Sequence, residues 1–180
     1  MLVKVGNNLV DAVVIMNDSG IVNGGSGNGH TNTITRPSNT TAYTVGDVIG
    51  DTNGSAIFEI TNVGVAGTVV RLLTANLILA VASLPAGMTT LQMWLFNASP
   101  TAHADNDALA LAAGDTTKYI DDFTLATPVD KGPFLASINR GVDIDIQLVS
   151  TSLYFMLQTA AGFTPSSAAV KYMYTDFIAL

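Results

Sequence analysis

The chain has 180 residues, a formal net charge of −7 and no cysteine, which describes one domain-sized unit without disulfides or thiolate chemistry. Its few cations are scattered (Lys4, Arg36, Arg71, Lys118, Lys131, Arg140 and Lys171), which excludes the clustered basic surface that a nucleic-acid backbone needs. The longest apolar run, Leu77 to Ala82, is far too short to span a bilayer, so neither nucleic acid nor membrane is an expected partner.

Charged residues make up 12% of the chain, against about 25% in an average soluble domain. Such a composition should expose sizeable uncharged patches, which usually mark contact surfaces, so self-association is expected. Among the acidic residues only Glu59 is a glutamate. Asp belongs in turns and caps, whereas Glu and Lys fill exposed helix faces, so long surface helices are not expected. Thr, Val, Ile and Gly favour strands joined by turns.

In chain order, Met1 to Met16 carries Asn7, Asn8 and Asp11 where the apolar core of a signal peptide would run. Leu2 to Val5 and Leu9 to Met16 suit one or two short strands. Gly20 to Gly29, GIVNGGSGNG, is flexible by composition, either a long hairpin loop or a hinge that lets residues 1–19 reach another chain. The predicted organisation is an N-terminal arm with hinge over 1–30 and a β-sandwich over 31–180. Residues 31–36 alternate as a strand, which Arg36-Pro37 stops because proline donates no N–H. Ser38 to Thr41 favours a turn, and Gly46-Asp47 is another before Val48-Ile49-Gly50 re-enters a sheet. Ala56 to Thr61 reads as a strand after the Asp51-Thr52-Asn53-Gly54 turn.

Val69 to Val81 would span the domain, roughly 40 Å if extended throughout. Thr89 to Phe96 alternates Leu91, Met93 and Leu95 against Gln92, Trp94 and Phe96. One or two short helical turns are predicted around residues 105–120: Asp105 or Asn106 capping Ala108 to Ala113, ended by Gly114, then Asp115 capping one more turn. Phe123 to Ala126 is a short strand. Val142, Ile144, Ile146 and Leu148 should face inward against Asp143, Asp145 and Gln147. By loop length, Ser150-Thr151-Ser152 predicts a hairpin into Leu153 to Thr159. Val170 to Ile178 closes the chain with Tyr172 and Tyr174 on one face. The count favours an all-β, antiparallel two-sheet sandwich, with a jelly roll preferred to an immunoglobulin-like order.

Candidate chemistry is sparse. His103 opens H-A-D-N-D, with Asp105 and Asp107 in reach of a cation, but the glycine and terminal glutamate of a Ca²⁺ loop and a second zinc ligand are missing. A solvated loop leading to a helix cap is the better reading. His30 is expected to be exposed. Asp143 and Asp145 share a strand face, where solvated acids are the default, and Asp121-Asp122 point apart. No phosphate loop or G-x-S-x-G occurs in a strand-to-helix setting. Sequons at Asn17, Asn39, Asn53 and Asn97 arise readily in so Asn- and Thr-rich a chain. Trp94, Phe96, Tyr154, Phe155, Tyr172 and Tyr174 could stack a sugar, but alternate-position aromatics more often form core or interface. No catalytic, cofactor-binding or metal site is assigned, and the chain is not expected to be an enzyme.

Two segments carry a resemblance. Thr35 to Gly50, TRPSNTTAYTVGDVIG, resembles an R-P-x-[DN]-T-T-A-Y-x-x-G-D-V-[IV]-G pattern, and Leu91 to Asp107, LQMWLFNASPTAHADND, a W-L-F strand followed by P-T-x-x-x-D-N. Both are similar to a family of tailed-phage virion proteins, the small jelly-roll-like head decoration, cement or minor structural proteins, over about residues 31–130. The resemblance implies a structural protein in the phage head, made in the bacterial host cytoplasm. Its partner would be the major capsid protein lattice, it would use no cofactor, and it would form an oligomer, a trimer being the best estimate. Alternatives are a tail or fibre component, or a receptor- or carbohydrate-binding sandwich module.

Overall fold

The computed structural model describes residues 28–180 throughout and, before them, only the backbones of four short strands. These are β1 (Lys4–Val5), β2 (Asn8–Leu9), β3 (Val14–Asn17) and β4 (Gly20–Asn23), paired antiparallel as β1 with β2 and β3 with β4. The expected arm over 1–19 and most of its hinge otherwise lie outside the described residues. Asn28 and Gly29, read as hinge, open a strand instead.

Ten strands follow: β5 (Asn28–Thr35), β6 (Phe58–Ile60), β7 (Val69–Leu79), β8 (Leu91–Phe96), β9 (Tyr119–Leu125), β10 (Val129–Asp130), β11 (Leu135–Ser137), β12 (Arg140–Gln147), β13 (Leu153–Thr159) and β14 (Val170–Ala179). They form a six-stranded sheet, β10-β11-β7-β14-β5 with β12 also on β7, and a four-stranded sheet, β6-β13-β8-β9. The pairings nest. β5 pairs with β14, β6 with β13, β7 with β12, and β8 with β9, as if one long antiparallel hairpin were rolled up. Contacts of β14 with β7 and of β13 with β8 then join the rolled ribbon into two sheets. This wiring is the jelly roll, two Greek keys closing an antiparallel sandwich.

The core follows from alternation. Leu72, Leu77, Met173 and Phe177 of the larger sheet meet Leu91, Met93, Leu95, Phe155 and Leu157 of the smaller one. Ile146 and Leu148 are buried while Asp145 and Gln147 are exposed, as their period of two requires. β7 changes phase midway: Val70 and Leu72 are buried, then Ala75, Leu77 and Leu79. A bulge opposite Asp176–Phe177 accounts for the change, since Asp176 pairs Thr74 and Phe177 pairs Leu72.

Two sequence expectations are corrected. β12 and β13 do not form a hairpin, because β12 pairs with β7 and β13 with β6 and β8. Ser150 instead turns the chain across the sandwich corner, its hydroxyl bonding the backbone of Ser152, so that Leu148 and Leu153 enter one core from opposite sheets. Ala108 to Ala113 is not a helix. Residues 107–109 pair with residues 46–48 through Val48 N–H to Asp107 O (2.8 Å) and Leu109 N–H to Gly46 O (3.0 Å), which overrides alanine's helix propensity. One 3-10 turn remains, Ala113–Asp115.

Candidate functional site

The segments that carry the resemblance meet. Arg36 continues the inward phase of Ile34 and is fully buried at the end of β5. Its guanidinium donates to Asn39 O (2.5 Å), Thr41 O (3.0 Å) and the Tyr43 hydroxyl (2.8 Å), and lies 4.8 Å from the Tyr43 ring centroid. The Tyr43 hydroxyl donates to Asp105 Oδ1 (2.6 Å), which also accepts the Gly50 N–H (2.7 Å). Asp105 Oδ2 lies 3.5 Å from Arg36 Nη2. Burial first, then the hydrogen bond to Asp105, pushes the Tyr43 hydroxyl above its usual range, and Arg36 opposes this.

Local turns hold the knot in place. Asn39 Oδ1 accepts the Thr41 N–H (3.0 Å), and Asp47 accepts the Thr44 N–H (2.5 Å) around Gly46, whose φ of +91° favours glycine. Gly50 is required for a different reason: a Cβ there would lie 2.6 Å from the Asp105 Cβ and 2.8 Å from its Cα. Gly50→Ala is therefore expected to cost about 1–3 kcal/mol by overpacking. Thermal melting checks this, with Gly54→Asn, at an open positive-φ position, as the mild control.

Beside the knot stands a residue the sequence reading missed as a site. Lys171 is buried on β14, in phase with Met173, Thr175 and Phe177. Among the described residues its Nζ has no hydrogen-bond partner. Burial, helped by Arg36 and opposed by Asp105 and Asp51, lowers its pKa to about 8. The alternation of β14 was the available signal, since Tyr172 and Tyr174 take the outer face and leave Lys171 the inner one.

The other candidates disperse. Asp105 is not a helix cap; it is the acceptor of the knot. Among the described residues no group of three or more His, Asp or Glu is placed to hold a metal. His30, expected to be exposed, is partly buried with its ring edge on Phe177, and burial lowers its pKa against the pull of Asp176. Asp145 forms a two-pronged pair with Arg71 (2.5 and 2.9 Å), whereas Asp143 sits at φ +53° in the irregular stretch of β12. Asp122 accepts from Tyr119 and Gln92, and Asp121 from the Asp122 N–H.

The six aromatics make no single platform. Phe155 packs on Phe58 in the core. Trp94 donates to Gln158 Oε1 (3.1 Å) and packs against Tyr119 on the smaller sheet. Tyr172 and Tyr174 stand on the larger sheet, ring centroids 6.4 Å apart, beside an open groove of about 520 Å³.

The knot is closed to solvent and made of structural bonds, whereas the groove beside Tyr172 and Tyr174 is open and lined by uncharged residues. No protein-family model matches the chain, and no curated protein matches it. Among solved structures, a chain from the infectious bursal disease virus Gt strain aligns at 9% identity over 93% of this chain and 46% of its own, with a TM-score of 0.17. A chain from the T13 particle of the same virus aligns at 12% identity over 94% and 44%, with a TM-score of 0.16. The chain thus spans less than half the length of either. The fold assignment rests on the strand wiring.

Proposed function

We propose that this chain is a virion structural protein of a tailed phage, a head decoration protein that binds between capsomers and cements the shell. The observation that carries the proposal is the interlock of the two resembling segments. Arg36, Tyr43 and Gly50 of the first hold Asp105 of the second, so the likeness falls on one physical unit instead of two unrelated stretches. Jelly rolls serve viral capsids, lectins and cupins alike, and the fold alone does not choose among them. The low charge density supports lattice contact, and the net charge of −7 keeps the protein off packaged DNA.

Co-sedimentation tests the proposal. Purified protein mixed with undecorated heads of the virus that encodes it is expected to pellet with them and to saturate at a fixed ratio to the capsid protein. Protein that stays in the supernatant, or that pellets with isolated tails instead, overturns the head role.

A further inference from the structure

The groove on the outer face of the larger sheet has the make-up of a ligand site. We propose that it binds a neutral oligosaccharide, with a sugar ring stacked on Tyr172 or Tyr174 and a sugar oxygen accepting from Asn76 Nδ2.

Two alternating strands build the floor. β14 turns Lys171, Met173 and Thr175 inward, which leaves Tyr172 and Tyr174 outside. β7, after its change of phase, buries Ala75 and Leu77 and leaves Asn76 and Ile78 outside. The register sets Tyr174 beside Asn76 and Tyr172 beside Ile78. Phe134 and Ile138, on either side of β11, complete the lining. The volume, about 520 Å³, falls in the range of small-molecule sites, which pair mostly apolar walls with a few placed polar groups.

Asn76 is such a group. Its Oδ1 accepts the Asn139 N–H (2.9 Å). A backbone N–H can only donate, so this bond fixes which end of the amide is nitrogen. Asn139 is itself held: its Nδ2 donates to Ala75 O (2.8 Å) and Ser137 Oγ (3.0 Å), and its Oδ1 accepts the Ala126 N–H (3.0 Å). Among the described residues nothing accepts from Asn76 Nδ2, a donor fixed in the lining of the groove.

The chemistry selects the occupant. No lining residue is charged, so a carboxylate, sulfate or phosphate would lose hydration with nothing to pair against. A wholly apolar molecule would cover the Asn76 donor without giving it an acceptor. A peptide strand pairs its main chain along a sheet edge, but β7 and β14 are interior strands, each bonded on both sides. A sugar ring meets these constraints. Its C–H face suits the electron-rich face of a tyrosine, its hydroxyls accept from an amide, and its outer edge stays in water. The two tyrosine rings lie 6.4 Å apart, tilted by 38°, and so offer faces to two successive sugar units. This inference is independent of the virion role.

A glycan array of neutral and acidic oligosaccharides, followed by titration calorimetry of those that bind, tests it with the full chain. Binding of neutral oligosaccharides is expected, with a Kd below about 1 mM. Tyr174→Ala removes a stacking face at a side chain that is 39% exposed, and should weaken binding about tenfold. Asn76→Asp keeps the oxygen that Asn139 needs, loses the free donor and adds a charge. It should weaken binding as much, with the circular dichroism of the parent. If it loses the strand signal, Tyr172→Ala takes its place. Absence of any neutral ligand up to about 1 mM overturns the proposal, as does a preference for acidic oligosaccharides. Binding at the parent's level by either variant also overturns it.

Discussion

An Asp105→Ala variant is expected to melt roughly 10 °C below the parent protein, from a loss of about 3–5 kcal/mol. The substitution removes more than one bond. The Tyr43 hydroxyl loses its acceptor, the Gly50 N–H is left without one, and the fully buried Arg36 loses its counter-charge. A buried donor without a partner keeps its desolvation penalty, and a buried cation without a carboxylate keeps a larger one. Asp107→Ala is the control, because that exposed side chain accepts only the Ala104 N–H (2.8 Å). The Arg36→Met/Asp105→Leu double variant should recover part of the loss, since replacing both partners by apolar groups removes the unpaired charge. A melting loss for Asp105→Ala no larger than that of the control contradicts the knot.

The second large effect is a rise of stability with pH. Lys171 titrates near 8 in the folded protein against 10.5 in the unfolded chain. Between those values the unfolded state binds more protons than the folded one, so stability increases as pH rises. Below pH 8 the buried ammonium exerts its full cost, about 3 kcal/mol. The rise should be read between pH 8 and about 10, because Tyr43 and Tyr119 have folded pKa values above the ordinary tyrosine value. Above that value the unfolded chain releases their protons first, and stability falls again. Melting temperature followed from pH 7 to 10 should climb in the parent protein and stay flat in Lys171→Met, which should also be the more stable of the two at pH 7. An equal pH response in both proteins contradicts the assignment.

These side chains also mark how far the sequence could be read. The sandwich was legible because Val142 to Leu148 alternates cleanly, Leu91, Met93 and Leu95 share one phase, and one face of each strand must be buried; Phe96, read on the opposite face, is buried too, past the irregularity at Leu95–Phe96. Partner choice was less legible. A three-residue connection after Val149, Ser150 to Ser152, suits a hairpin and a sandwich corner equally, and only the pairing of β12 with β7 separates them. The phase change at Leu73–Thr74 was hidden because the adjacent Leu72 and Leu73 put apolar side chains on both faces of β7. Ala108 to Ala113 misled because helix propensity is a weak prior beside a neighbouring strand that supplies hydrogen bonds. The knot could not be assembled from spacing, because Arg36 and Asp105 are brought together only by the rolled-up ribbon. Lys171 was visible in principle: Met173 and Phe177 fix the inward phase of β14, and counting back by two reaches it.

The most direct test of the cementing role is calorimetry of heads with and without bound protein. The shell transition is expected to move to higher temperature in proportion to occupancy and to level off at the saturating ratio. A shell transition that does not move at full occupancy would contradict a cementing role, whatever the binding affinity.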